Sequence, residues 1–449
     1  MVEECVRDTM TGTRRAIRSG LWLWFVGVIG IVSVSCGPCA SLQREFDARM
    51  RHELQYLAVD DRVETSGPPH GYLHMGADAF EIVSASALKG EEPYFRTVTV
   101  QVPRDIWGYE GQIRLETSIR LDHIDADFKG EAWGPHDVAL DADVMVRARI
   151  EVPGKRARWT WYARAAIQTE LLSDATAGDV VEVGLENARL AQVEPNLPWV
   201  DEDMPEAIDE LVTNGIADAV DAVLLEHQDA RFAVMRVHPL NLTSMSFAVR
   251  VASADVDAAR GVVSIAFHSA LRPTMSKAEA MEVGTSVELP EDGVVLQLPR
   301  ATLDAAVRQQ SLRGTTPTSV RMSEDDTEQW QAFWGDSAFE DGMWSGIWRL
   351  WGLEGHPCRA KDISTVVRVS EDEGLLMVSR DALEDVAAPD DGRRDGPHAL
   401  AELQRSTLSD MTREILRWFA DEDQSDALRT VLEDAQFHEN HLDARYSLQ

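Results

Sequence analysis

The side chains near the C-terminus are of the kinds that most often hold metal ions in proteins. His438 and His441 are separated by two residues, and Asp443 follows shortly after them. The zinc-binding pattern His-Glu-x-x-His places its histidines four residues apart, so that both lie on one side of a helix, whereas the spacing here is three. In a strand, residues three apart point to opposite faces. The sequence therefore predicts no metal site, and it also predicts no resident cofactor.

Patterns for other chemistries are incomplete. The acidic segment 421–426 lacks the glycine that a calcium loop needs at its sixth position, and Leu432 stands where the bidentate glutamate belongs. The segment 342–346 has one residue too many for the nucleophile pattern Gly-x-Ser-x-Gly. With 77 Asp and Glu residues, spacing selects no catalytic carboxylate pair. We expect no catalytic residues and no enzyme activity; a hydrolase without a familiar motif is the least favoured alternative.

Tryptophan is concentrated in one stretch of the chain. Five of the 13 tryptophans fall within 22 residues, at spacings that include four and three, and this spacing predicts helices over 325–352. A face of this kind can line an apolar ligand site or lie at a bilayer interface. The alternative is ordinary packing of a helical hairpin against a sheet. The predicted ligand-binding residues are Trp330, Trp334, Trp344, Trp348 and Trp351.

The N-terminus carries the pattern of a secretion signal. Arginines at positions 14, 15 and 18 precede an apolar run over 21–34, and Ser33-Val34-Ser35 leads directly to Cys36. A bilayer-spanning helix needs about 20 apolar residues, so this shorter run fits the core of a signal peptide. An uncleaved anchor helix is the alternative.

The segment ending at Cys36 resembles the bacterial lipobox, although Ser33 stands where leucine is usual. The resemblance implies a signal over residues 1–36, export, and a palmitate-type lipid on Cys36 that tethers the chain to the cell envelope. The residue after Cys36 is Gly37, and not the aspartate that retains lipoproteins in the inner membrane. The expected location is therefore the outer membrane, with the chain facing the periplasm.

Two further cysteines, Cys39 and Cys358, would remain in the exported chain. An oxidising compartment permits a disulfide between them, and two free thiols are the alternative. The formal net charge of −34 argues against nucleic acid as a partner, because binding to phosphates requires basic residues. It also argues against electrostatic docking on anionic lipid.

Hydrophobic periodicity predicts an α+β chain of long antiparallel strands and long helices. Period-2 alternation predicts strands over 111–123 and 138–152, and further strands are predicted over 159–172, 180–193, 243–252, 260–271, the apolar run 294–298, 363–379 and 430–447. Helical segments are predicted over 41–57, 203–229, 301–312 and 398–419. We divide the chain into the signal, a tether with a short helix (37–69), a first sheet-helix half (70–285) and a second half with the tryptophan-rich helical insertion (286–449).

The order of these elements resembles the TULIP superfamily of tubular lipid-binding proteins. The most specific segment is the strand 294–298, followed by a helix that Gly314 ends. The resemblance implies two related halves, each with a curved antiparallel sheet wrapped around a long helix to leave an apolar tunnel. We therefore expect a membrane-tethered, non-catalytic lipoprotein that binds a lipid or another apolar ligand. The alternative is a structural or protein-interaction lipoprotein of the envelope with a solid core.

We predict that metabolic labelling with a fatty-acid analogue marks the protein, because the lipobox-like segment directs acylation of Cys36. Cys36→Ala should abolish the label, whereas Cys39→Ala should retain it. Fractionation of the labelled protein should place it in the outer membrane. Label that persists in Cys36→Ala would contradict lipidation at this residue.

Overall fold

The structure is a computed structural model. It describes residues 38–56, 62–107, 110–126, 136–152, 155–173, 178–196, 206–242, 245–257, 259–275, 289–313, 316–322, 328–340, 342–353, 358–370, 377–378, 396–419 and 430–448. Cys36, Gly314 and the segment 421–426 lie outside these ranges. Within them, every helix is too short or too polar to cross a membrane.

Six α-helices occur in the described part of the chain. They are α1 (Pro38–Tyr56), α2 (Ala77–Leu88), α3 (Arg104–Trp107), α4 (Glu206–Glu226), α5 (Arg300–Ser311) and α6 (Gly396–Leu416). A turn of 3₁₀ helix, Arg417–Phe419, continues α6.

The described strands are mostly long and antiparallel. They are β1 (Gly71–Gly76), β2 (Tyr94–Val102), β3 (Gly111–Asp125), β4 (Asp137–Val152), β5 (Lys155–Ser173), β6 (Val180–Pro195), β7 (Arg231–Arg236), β8 (Leu240–Leu242), β9 (Met245–Phe247), β10 (Val249–Asp257), β11 (Val262–Ser269), β12 (Gly293–Pro299), β13 (Leu312–Arg313), β14 (Thr316–Val320), β15 (Trp330–Glu340), β16 (Met343–Gly352), β17 (Arg359–Ser370), β18 (Met377–Val378), β19 (Thr430–Phe437) and β20 (His441–Leu448).

The central sheet has the strand order β10-β11-β1-β12-β20-β19. Its middle strands are buried along nearly their whole length, and every residue of β12 is buried. A strand buried on both faces needs a continuous apolar run, which β12 supplies in Gly293–Pro299 with the single polar residue Gln297. β1 and β12 pair directly, with Leu73 opposite Leu296.

The first outer sheet runs from β2 to β7 in chain order and is curled. Its strands alternate between buried and exposed residues, as in β3, where Ile113 and Leu115 are buried and Arg114 is exposed. This period-2 pattern gives the sheet one apolar face and one wet face. Helix α4 packs against β2, β3 and β6, and α2 packs against β3 and β7.

The second outer sheet runs from β13 to β18 in chain order. Helix α5 packs against β15 and α6, and α6 packs against β17. Helix α5 follows β12 directly, just as α2 follows β1 directly, so both outer sheets are reached from the centre through a strand and a helix. The observed class is therefore mostly antiparallel sheet with curled outer sheets and covering helices.

Most predicted elements are confirmed, including the long helix α4 and the strands β3 to β6. The helices predicted over 325–352 are wrong, because this stretch forms the antiparallel hairpin β15–β16. The single strand predicted over 430–447 is also wrong, because it is the hairpin β19–β20. Helix α2 was not predicted from the sequence.

Helix α1 is held against the second outer sheet by three kinds of contact. Cys39, in its first turn, forms a disulfide with Cys358 at the start of β17. Phe46 packs edge-on against Phe333 of β15 with ring centroids 5.5 Å apart. Glu53, which is 1% exposed, forms an ion pair with Arg308 of α5, with 3.2 Å between Oε2 and Nε. The N-terminal helix is thus part of the folded body.

We predict that non-reducing peptide mapping of the purified protein recovers Cys39 and Cys358 in one linked peptide pair. Replacing both residues by alanine should lower the free energy of unfolding by about 2–4 kcal/mol, because the cross-link restricts the unfolded chain. Urea denaturation measures this loss, and reduced wild type serves as the matched control. Quantitative alkylation of both thiols before reduction would contradict the disulfide.

Candidate functional site

The tryptophan-rich stretch is a two-stranded hairpin whose register sets which side chains meet. Trp334 of β15 lies opposite Trp348 of β16, and Phe339 lies opposite Trp344. Residues four apart in a strand share a face, so Trp330 joins Trp334, and Trp344 joins Trp348. Four of the five predicted ligand-binding tryptophans are therefore brought together on the inner face of the hairpin.

These inner-face tryptophans are packed against one another. The rings of Trp334 and Trp348 meet edge-to-face with centroids 4.9 Å apart, and those of Trp334 and Trp344 are 5.8 Å apart. Trp334, Trp344 and Trp348 are fully buried. Gly346 makes this packing possible, because a Cβ at that position would lie 2.1 Å from the Trp334 ring. The cluster is thus a dense aromatic core.

Polar groups connect this core to the helices behind it. The indole of Trp334 donates to Oδ1 of Asp304 on α5 at 3.1 Å. The indole of Trp348 donates to Oγ1 of Thr365 at 3.0 Å, and Thr365 donates to Oε1 of Gln404 on α6 at 2.7 Å. Gln404 is fully buried, so these bonds satisfy polar groups that are out of reach of water.

Trp351 belongs to a different environment. It is three residues from Trp348, so in a strand it points to the opposite face. There it meets Phe333 edge-to-face at 5.3 Å and Phe46 of α1 at 6.0 Å. Leu312, Phe333 and Trp351 form a separate small apolar cluster under α1. Any one ligand site on the inner face would therefore exclude Trp351.

Asp304 is the ionisable residue at the heart of the aromatic core. Burial raises the pKa of its carboxyl to about 6, while hydrogen bonds from Ser337 and Trp334 and the charges of Arg300 and Arg308 oppose the rise. Ser337 Oγ and the Trp334 indole both donate to the same carboxylate oxygen. The side chain therefore fastens the hairpin to α5.

A second apolar region, which the sequence did not single out as a site, is the concave face of the first outer sheet. Cross-strand partners there are Ile119 with Val144 and Val144 with Ala163, and these residues are at most 2% exposed. The same buried face includes Ile113, Leu115, Thr117, Leu121, Val138, Leu140, Ala142, Val146, Ala148, Trp161, Ala165, Ile167, Thr169 and Leu171. Among these residues, only Thr117 and Thr169 are polar. The period-2 alternation in the sequence predicts that these strands have one apolar face. It does not predict the curl that makes this face concave.

Of the remaining predicted residues, Cys36 lies outside the described ranges, and Cys39 and Cys358 are joined to each other at α1. No protein-family model matches the chain, and no curated protein matches it. Among solved structures, the chain is similar to a crystal structure of lipopolysaccharide binding protein, with a TM-score of 0.35 and 10% sequence identity. That likeness covers 85% of this chain and 99% of that chain.

We predict that Asp304→Asn stabilises the protein above neutral pH. The folded-state pKa of about 6 is above the ordinary value of 3.8, so the folded state favours the protonated form. That preference is fully present below the unfolded-state value and is lost as the pH rises through about 6. Asparagine keeps the acceptor oxygen without the charge, so the gain near neutral pH should be about 1–3 kcal/mol.

Urea denaturation at acidic and at neutral pH measures the effect of Asp304→Asn. The variant and the wild type should differ little in acid and should diverge as the pH rises. Glu340→Gln, which removes an exposed carboxylate from β15, is the matched control and should show no such divergence. Equal stability of Asp304→Asn and wild type at every pH would exclude a raised pKa at Asp304.

Proposed function

We propose that the chain is an exported lipoprotein, tethered to the outer membrane through a lipid on Cys36, that binds a lipid or another apolar molecule without transforming it. The binding region we infer is the concave face of the first outer sheet together with the helices that cover it. The observation that carries this proposal is the buried, almost wholly apolar face that extends over three adjacent long strands, β3, β4 and β5, with Thr117 and Thr169 as its polar members.

We also infer that the chain consists of two related halves. In the first half, β1 leads into α2 and then into a six-stranded outer sheet. The long helix α4 is inserted before the last strand of that sheet. The hairpin β10–β11 then returns to the central sheet. In the second, β12 leads into α5, another six-stranded outer sheet, the long helix α6 and the hairpin β19–β20. The two starting strands are neighbours in the central sheet, which supports a pseudo-twofold relation between the halves.

The dimensions of the first outer sheet suit a hydrocarbon ligand. β4 has 16 residues and β5 has 19, so each extends for about 50–60 Å at the usual rise per residue. Helix α4 has 21 residues and therefore extends for only about 30 Å. α4 packs against β2, β3 and β6, while β4 and β5 form the wall of the curl between β3 and β6. An alkyl chain would lie along this wall.

Small side chains on the wall favour such an occupant. Ala142 pairs with Ala165, and Ala163 lies one same-face position along β5. Alanine has a small side chain, so these positions fill little of the space above the wall. Because the wall is packed in this conformation, a ligand must displace part of α4. Each buried methylene of the ligand would then contribute about 0.8 kcal/mol toward that displacement.

A solid-core envelope protein is the second candidate function. The full burial of Trp334, Trp344 and Trp348 favours it for the second half, because aromatic side chains in contact with protein on all sides leave no surface for a ligand. In that case the tryptophans serve stability, and the acidic exterior serves partner binding. The two candidates differ in whether an apolar ligand accompanies the purified protein.

We predict that protein exported as Cys36→Ala, and thus free of its own lipid anchor, carries an apolar molecule in near-stoichiometric amount. Native mass spectrometry detects the complex, and organic extraction identifies the molecule. Delipidated protein should take up a fluorescent fatty acid. Protein that is free of extractable lipid and takes up no fatty acid would instead support the solid-core envelope protein.

Three substitutions on β5 locate the binding face. Ala163→Phe adds a ring to the concave face and should reduce fatty-acid uptake at least tenfold, because the ring occupies the ligand's space. Thr160→Phe adds a ring to an exposed position of the same strand and should leave uptake unchanged. Ala165→Val is a milder inner-face substitution for use if Ala163→Phe is poorly folded. Unchanged uptake in both inner-face variants would place the ligand elsewhere.

A further inference from the structure

The turn of the β19–β20 hairpin brings together two histidines that the sequence pattern had set apart. His438 lies in the turn and His441 begins β20, so they do not belong to one strand as the sequence suggested. The backbone N–H of His438 donates to the carbonyl of His441 at 2.8 Å. Their rings stack at an angle of 22° with centroids 4.6 Å apart. Both imidazoles therefore point to the same side of the hairpin.

Asp443 completes a group of three potential metal ligands. It is two residues after His441 on β20, and residues two apart in a strand share a face. Its Oδ1 lies 3.2 Å from Nε2 of His441, and its Oδ2 lies 3.3 Å from Nε2 of His438. One ligand atom from each residue falls within 4.8 Å of the others.

These separations match those between the ligands of a four-coordinate zinc ion. Zn–N and Zn–O bonds of about 2.0–2.1 Å arranged tetrahedrally place neighbouring ligand atoms about 3.3–3.4 Å apart. Two buried atoms of the group, Nδ1 of His441 and Oδ1 of Asp443, have no hydrogen-bond partner within the part of the chain that the structure describes. Oδ1 of Asp443 nevertheless lies in ion-pair contact with Nε2 of His441.

The carboxylate is held from behind by side chains of the central sheet. Gln297 of β12 lies opposite Asp443 in the strand register and hydrogen-bonds to it. The amide oxygen of Gln297 is 3.1 Å from Nε2 of His74, and Nδ1 of His74 is 2.8 Å from the hydroxyl of Ser264. Outer contacts of this kind orient the ligands in metal sites. The site is therefore supported by three neighbouring strands as well as by its own hairpin.

We propose that His438, His441 and Asp443 bind a divalent transition-metal ion of the zinc class. Two imidazoles and one carboxylate form a ligand set that suits zinc. His438 is 43% exposed, so an ion can reach the site from solvent. Three protein ligands leave a fourth position for water or for an oxygen atom of a bound molecule. The ion would join the β19–β20 turn to the central sheet. This proposal is independent of lipid binding.

The test uses the full exported chain with Cys36→Ala, without a histidine tag, after treatment with a chelator. Titration with Zn²⁺ by calorimetry should give one site per chain, and Co²⁺ should give the intense visible absorption of four-coordinate cobalt. His441→Asn and Asp443→Asn should abolish both signals. Gln297→Leu should weaken Zn²⁺ binding about 10–100-fold, because it removes a contact that orients a ligand.

His136→Asn is the matched control for the histidine substitutions. His136 lies 3.5 Å from Asp255 on the surface, so this variant also removes a histidine beside an aspartate. It should bind Zn²⁺ as the wild type does. Circular dichroism of each variant separates loss of the metal from loss of the fold. A wild type that binds neither ion, or that binds them as tightly as Asp443→Asn does, overturns the proposal.

Discussion

The antiparallel pairing of β1 with β12 is the constraint on which the rest of the fold depends. Each of these strands passes directly into a helix that leads to an outer sheet, so their register sets where both outer sheets begin. Gly76 ends β1, and a Cβ at that position would lie 2.3 Å from the carbonyl oxygen of Glu291. The close approach of the two chain segments therefore requires glycine. The pair Leu73 and Leu296 is fully buried, so slippage by one residue would move polar side chains into the apolar positions.

The tryptophan hairpin illustrates why spacing alone did not decide between helix and strand. A separation of four residues returns a side chain to the same face in a helix and, because four is even, also in a strand. Trp330 and Trp334 therefore fit both structures. Two side chains three residues apart lie on the same face of a helix but on opposite faces of a strand. Trp348 and Trp351 were therefore the informative pair. Gly346, two residues before Trp348, also disfavours a helix, and only the strand places it under the Trp334 ring.

Elements with a single clear period could be predicted from the sequence, and relations between elements could not. The stripe of apolar residues identified α4, and strict alternation identified β3 and β4. Register is different, because it depends on pairing partners. It places Arg114 opposite Arg149 on the exposed face of the first outer sheet, where both arginines form ion pairs with Glu116. Likewise, the meeting of His438 with His441 depends on a turn that the local spacing does not reveal.

The distribution of burial indicates which parts of the molecule could open. The middle strands of the central sheet are buried on both faces, and a side chain packed on every side cannot move without losing contacts throughout the centre. The outer sheets are different. The first has one face in solvent and one face covered by helices, whereas α1 also covers part of the other face of the second. Moving α4 away from β3 would expose one apolar surface and break no strand pairing. A hydrocarbon that covers that surface offsets most of the cost, whereas water does not. An apolar ligand is therefore best accommodated between an outer sheet and its helix, with the central sheet as the rigid support.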